Sequence, residues 1–251
     1  MLGGNCVGEV YAIVSGKGGT GKTSVCAGLA CALAEREKKV LCIDCDVGLR
    51  NLDISLGMSD VPALSFLVVS EGSYRLEDAA RHPKYPTLRF FTAPMNRSPE
   101  AIDTRAFGNM LRQARQAFDF VFLDAPAGVD AGFRLVSAWT DRFLLVTGPG
   151  PAAIRDAARV SDLLELSGKK NVRLIVNRVD EEMLSTVRLT IDDVMDTTGT
   201  PLAGVVPEDP NITLSAAFGS PVPVYAKRCA AARAFRRIAA RLEGIPTKIK
   251  L

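Results

Sequence analysis

The sequence holds a single histidine, His82, beside Pro83 in a polar turn. With no second histidine, a histidine-based metal site or a His-centred triad has little to build on. Charge of one sign is scarce as well. Lys+Arg number 31 against 28 Asp+Glu, and a net +3 is too slight to mark a nucleic-acid surface by itself. No apolar run approaches the ~18 residues that span a bilayer. Met1 to Gly8 lack the basic and apolar regions of a signal peptide, so the chain is expected in the cytoplasm. The six cysteines lack the spacing of a disulfide framework and read as reduced, mostly buried small hydrophobes. Cys42 and Cys45 have the C-x-x-C spacing of redox or metal chemistry. They lie in the run Val40-Leu41-Cys42-Ile43-Asp44-Cys45-Asp46, which reads as a strand. Three positions apart on a strand, they point to opposite faces and cannot close on one ion.

What is present is an alternation. Apolar runs at Val10–Val14, Val40–Ile43, Leu88–Phe91, Phe120–Leu123, Phe143–Val146, Val172–Val176 and Leu202–Val206 are separated mainly by helical patterns. Near-continuous apolar runs suit strands buried on both faces. The fold class predicted is α/β: a mostly parallel twisted sheet with helices on both faces. Helices are predicted near 22–36, 103–117, 151–167, 187–197 and 229–243, in one domain over 1–243 with a short tail at 244–251. Pro83 and Pro86 bracket a loop, and Asn96 to Pro99 start another.

The stretch Gly16-Lys17-Gly18-Gly19-Thr20-Gly21-Lys22-Thr23 lies between the first run and a helical pattern with Val25, Leu29 and Leu33 on one face. Its spacing, G-x-x-x-x-G-K-[ST], is that of a P-loop. The glycines let backbone N–H groups turn toward phosphate, and the helix that follows aims its positive end at the same point. Gly16, Gly18, Gly19, Thr20, Gly21 and Ser24 are read as the phosphate cradle, Lys22 as reaching the β/γ-phosphates, and the Thr23 hydroxyl as a Mg²⁺ ligand.

In open parallel sheets ligands bind beyond the carboxyl ends of the strands. Asp44 and Asp46 follow the second run and Asp124 follows the fourth. Asp124 reads as the Walker B carboxylate that holds Mg²⁺, Asp44 as a group near the metal shell, and Asp46 as the group that orients the attacking water. Capping of helices or turns is the alternative for these aspartates.

Lys17 is a second lysine inside the loop, where the generic pattern asks for no charge. With Asp44-Cys45-Asp46-Val47-Gly48-Leu49-Arg50-Asn51-Leu52-Asp53 and Leu123-Asp124-Ala125-Pro126-Ala127-Gly128, it resembles the deviant Walker A and companion motifs of the MinD/ParA superfamily, in their MinD form. The resemblance continues through Ile154-Arg155-Asp156-Ala157 and Gly204-Val205-Val206-Pro207-Glu208-Asp209, covering Val10 to about Leu242. It implies an ATPase that needs Mg²⁺, a homodimer with ATP and a monomer with ADP, in which Lys17 serves the partner's nucleotide. By the same resemblance Asn177 and Arg178 meet adenine, and Pro207, Glu208 and Asp209 close over the base. An Asn amide can both donate to and accept from an adenine edge; Asn177 as a strand-end cap is the alternative. The role implied is septum placement, with a division inhibitor and an ATPase-stimulating topological factor as partners.

Two departures stand out. The superfamily's MinD-like members usually carry Asn-Pro-Glu after the fifth strand, where this chain has Gly148-Pro149-Gly150-Pro151. Typical members also end in an amphipathic membrane helix. Here the last helical pattern has Ala231, Phe235, Ile238 and Leu242 on one stripe and Arg233, Arg237 and Arg241 on another. Its apolar stripe is expected to pack on the sheet, an anionic membrane being the alternative. The eight residues from Gly244 to Leu251 are too few for a stable helix in water. Ile245, Lys248, Ile249, Lys250 and Leu251 would make a weak anchor.

Rival readings within the superfamily are a ParA-type DNA-partition ATPase using Arg233, Arg236, Arg237 and Arg241, an iron–sulfur carrier, and the flagellar regulator FlhG, whose N-terminal extension is not seen. Nucleic acid is not the expected partner.

Overall fold

A computed structural model describes residues 7–47, 49–95 and 97–250. The first six residues of the Met1–Gly8 segment, Gly48 of the second motif, Asn96 and Leu251 lie outside them. Along the chain run β1 (Glu9–Val14), α1 (Lys22–Ala34), β2 (Val40–Asp44), α2 (Leu52–Leu56), α3 (Phe66–Ser70), β3 (Ala80–Arg81), β4 (Leu88–Phe91), α4 (Thr104–Ala117) and β5 (Phe120–Asp124). Then come α5 (Ala131–Ala138), β6 (Arg142–Thr147), α6 (Pro151–Leu166), β7 (Asn171–Val179), α7 (Glu181–Val187), α8 (Ile191–Thr198), β8 (Leu202–Pro207), α9 (Pro210–Ala217), α10 (Val222–Tyr225) and α11 (Ala230–Leu242). Single 3₁₀ turns sit at Leu76–Asp78 and Pro99–Ala101.

The described strands form one sheet in the order β3-β4-β2-β5-β1-β6-β7-β8, parallel except for β3. Each run predicted as a strand is one, and alternate residues feed two separate cores. Val10, Ala12, Leu41, Ile43, Val121 and Leu123 face the layer that contains α3 to α6 and α8. Tyr11, Ile13, Val40, Cys42, Phe120 and Phe122 face α1 and α11. Two buried faces explain why these strands read as continuous apolar runs rather than alternating ones. Cys42 and Cys45 fall in opposite cores, as strand geometry requires.

Helix α1 is buried nearly all round, between the sheet and α11. Gly28 makes that approach possible: a Cβ there would lie 2.3 Å from the Phe235 ring. The apolar stripe of α11 packs inward with Ala231, Phe235, Ile238 and Leu242 buried. The described tail forms no helix and folds back on α11. The Arg241 guanidinium donates to the Thr247 and Ala203 carbonyls at 2.6 and 2.8 Å, and Arg237 donates to Lys250 O.

One prediction is corrected. The helix expected over 187–197 begins only at Ile191, because Val187 ends a separate helix, α7, and Arg188 after it is left-handed at φ 54°. The Thr190 hydroxyl accepts from Asp193 N while the Asp193 carboxylate accepts from Thr190 N, and this capping box starts α8 afresh.

Candidate nucleotide site

At the carboxyl ends of β1, β2, β5, β7 and β8 opens a cavity of about 460 Å³, lined by Gly18, Gly19, Gly21, Lys22, Thr23, Ser24, Asp46, Asn177, Arg178, Glu208 and Asp209 among others. Gly19 and Gly21 turn the loop with φ of 79° and 88°, a region costly for any residue with a Cβ. Gly21 caps α1 without a side chain, so the first N–H groups of that helix are left for a ligand.

Lys22 is 8% exposed, and burial lowers its pKa while Asp124 and Asp46 raise it. Asp124 is 2% exposed and has an Oδ1 with no partner. Burial first, and the nearby Asp44 second, push its pKa up to about 7, against the pull of the Thr23 hydroxyl and Lys22. Burial likewise raises Asp44 to about 6 and lifts half-buried Asp46, which Lys22 holds down.

Carboxylates crowded under one lysine, one with an orphaned oxygen, are groups that a divalent cation satisfies. The residues present fit Mg²⁺ bound by the Asp124 carboxylate and the Thr23 hydroxyl, with phosphate oxygens and water completing the shell. Among the described residues no set of three or more His, Cys, Asp and Glu could hold a metal.

The predicted site residues do not all line the cavity. Both Asp44 oxygens accept backbone N–H groups, from Asp46 at 2.9 Å and Leu52 at 3.3 Å, so Asp44 shapes the turn that carries Asp46. Gly16 does not line the cavity: it lies against α6, where a Cβ would meet Asp156 at 2.3–2.5 Å. Thr20 is buried behind the loop. Lys17 is exposed and does not line its own cavity.

At the other end, Asn177 is 1% exposed and its Nδ2 donates to the Thr20 carbonyl at 2.8 Å. This amide braces the phosphate loop, and its Oδ1 is left without a partner. Arg178, left-handed at φ 59°, donates through Nε to Glu208 Oε2 at 2.8 Å and through Nη1 to Gly19 O at 3.5 Å. Asp209 caps α9 at Asn211 N and also accepts from Ala231 N at the start of α11. Pro207 pairs with Val179 and does not line the cavity.

Sequence reading missed Ser55, Ile212 and Thr213 on the cavity wall. The last two stand on α9, whose Asp209 cap followed by Pro210 is a start signal that was there to be read. Where Asn-Pro-Glu is usual, Gly150 precedes α6 and Pro151 opens it, while Gly148 borders Asn177.

Residues 11–222 match the CobQ/CobB/MinD/ParA nucleotide binding domain. The septum site-determining protein MinD of Synechocystis is 37% identical over 238 residues, 94% of this chain and 90% of that protein. Among solved structures, the MinC:MinD cell division complex of Aquifex aeolicus superposes with a TM-score of 0.89 at 33% identity, covering 97% of this chain and 98% of that one. MinD of Pyrococcus horikoshii complexed with Mg-ADP gives 0.81 at 29%, covering 94% and 96%. A cradle built for phosphate and magnesium, in a chain alike from end to end to these proteins, has one reading: it belongs to the CobQ/CobB/MinD/ParA family and is a MinD-like ATPase that uses Mg²⁺.

Proposed function

We propose that this chain is an ATP-driven dimerisation switch that places the division site. The observation that carries the proposal is the division of labour between two lysines five positions apart in the phosphate loop: Lys22 buried among Asp124 and Asp46, Lys17 exposed beside the cavity. A second copy facing the loop would receive Lys17 on its own nucleotide. Lys22 holds the β/γ-phosphates, and half-buried Asp46 accepts a hydrogen bond from the attacking water and sets it in line. Bound Mg²⁺ neutralises the charge that develops on the phosphates. Once the γ-phosphate leaves, the Asp46 and Asp124 loops lose what orders them and the copies part.

A MinC-like inhibitor is the partner supported by the Aquifex complex, and a second factor that stimulates hydrolysis completes the cycle. On α11, Arg236 pairs with Glu35, while Arg233, Arg237 and Arg241 donate to backbone carbonyls of the same chain. No helix among the described residues is long and apolar enough to cross a membrane. Contact with the inner face of the membrane is left to the tail.

Size-exclusion chromatography with light scattering, in ATP and in ADP, tests the switch. Wild type is expected to dimerise with ATP alone, Lys17→Ala to stay monomeric, and Asp46→Ala to dimerise while hydrolysing at least ~100-fold more slowly. Dimerisation of Lys17→Ala like wild type would sink the proposal. Co-sedimentation with anionic liposomes and, separately, with DNA locates the ATP-bound form.

A further inference from the structure

At the amino ends of β2, β4 and β5, the opposite end of the sheet from the nucleotide, lies a second cavity of about 300 Å³. That is the lower limit of small-molecule sites. Leu76, Pro86 and Phe118 give it an apolar wall, and Lys39 and Arg89 supply charge.

Three features of this cleft are unexplained by folding alone. Arg89 stands directly opposite Arg81 in the antiparallel β3–β4 pair, and like charges facing each other across strands are destabilising. Arg89 is also held in place, its Nη1 donating to the carbonyls of Ala79 at 3.0 Å and Glu77 at 3.3 Å, so the guanidinium is a fixed group and not a swaying one. The burial of Arg89 and the closeness of Arg81 both lower its pKa, with Glu77 opposing.

The Lys39 ammonium makes no ion pair among the described residues, and its backbone N–H donates to Asp119 Oδ2 at 2.8 Å. Thr87 has a buried hydroxyl with no hydrogen-bond partner, a group that a native fold seldom leaves unmet. Glu77 is the carboxylate on the lining, against Lys39, Arg89 and neighbouring Arg81, so the cleft is short of negative charge.

We infer that this cleft is a second binding site, for a small amphipathic carboxylate whose head lies between Lys39 and Arg89 and whose apolar body rests on Phe118, Leu76 and Pro86. The head group quiets the Arg81–Arg89 repulsion. The site does not depend on the nucleotide reading. β2 and β5 begin at it and end at Asp44 and Asp124, so both sites can be filled at once.

Isothermal titration of the full chain saturated with Mg-ADP tests the inference, with octanoate, inorganic phosphate and octanol as separate probes. Octanoate is expected to bind one-to-one with Kd at or below about 1 mM. Phosphate and octanol should each bind at least about tenfold more weakly, because each lacks half of the recognised chemistry. Lys39→Met removes an exposed charge that pairs with nothing described, and should weaken octanoate about tenfold with an unchanged Tm. No saturable octanoate binding, phosphate binding as tight as octanoate, or undiminished affinity in Lys39→Met would each overturn the inference.

Discussion

The two ends of the nucleotide cavity are built on opposite terms. At the phosphate end, polar groups are buried and left short: Asp124 Oδ1 has no partner, two carboxylates, Asp124 and Asp46, face one buried lysine, and the first N–H groups of α1 lack a side-chain cap. At the end where the base is expected, side chains are mostly engaged by the fold, although Asn177 Oδ1 is also left without a partner. Asn177 donates to Thr20, Arg178 pairs with Glu208, and Asp209 caps two helices. The phosphate end gains from a ligand what the fold withholds, whereas the base end supplies shape and stiffness.

Asp124→Asn should break the first half of this contrast and have the largest effect. Loss of the carboxylate is expected to cut Mg²⁺-dependent hydrolysis at least ~100-fold in a phosphate-release assay. The same change should help the metal-free protein. The folded-state pKa of about 7 exceeds the ordinary carboxylate value, so the native chain keeps a proton that the unfolded chain releases. Stability from this group is full below about pH 4 and lost as pH rises through 7. Without Mg²⁺, the Tm of wild type should therefore fall between pH 5 and pH 8 by more than that of Asp124→Asn. Equal falls would refute the buried-charge account.

Asn177→Ala probes the second half. As a brace, Asn177 should matter before any nucleotide arrives. Denaturant unfolding of the nucleotide-free chain is expected to show a loss of about 1–3 kcal/mol, since the substitution leaves the buried Thr20 carbonyl unpaired. A group that only contacted the base would leave that stability untouched. The smallest effect belongs to the rim: Arg178→Ala or Glu208→Gln should shift stability within about 0.5 kcal/mol, because the pair is half exposed and screened. A double-mutant cycle showing more would mean that the base end is tighter than drawn.

Much of this molecule was legible beforehand because the signals are local. An apolar run bounded by turns marks a strand wherever it ends up, and the glycine–lysine–threonine spacing carries its own backbone geometry. Hence the sheet, the cradle and the strand-end carboxylates were readable. The start of α8 was placed too early because Val187 continues the apolar spacing of Ile191 and Val194 backwards along the chain, while the Thr190–Asp193 box sets the start at Ile191. The edge strand β3 has only two residues, too few for a periodic pattern.

The motifs alone determined that this chain grips a nucleotide's phosphates, since that chemistry depends on residues within one turn of each other. Only the tertiary structure decided what Asn177, Asp209 and Arg241 do. Their partners, Thr20, Ala231 and Ala203, lie 157, 22 and 38 positions away. A hydrogen bond across such a distance is chosen by how the sheet and helices pack, not by the residue's neighbours in the chain.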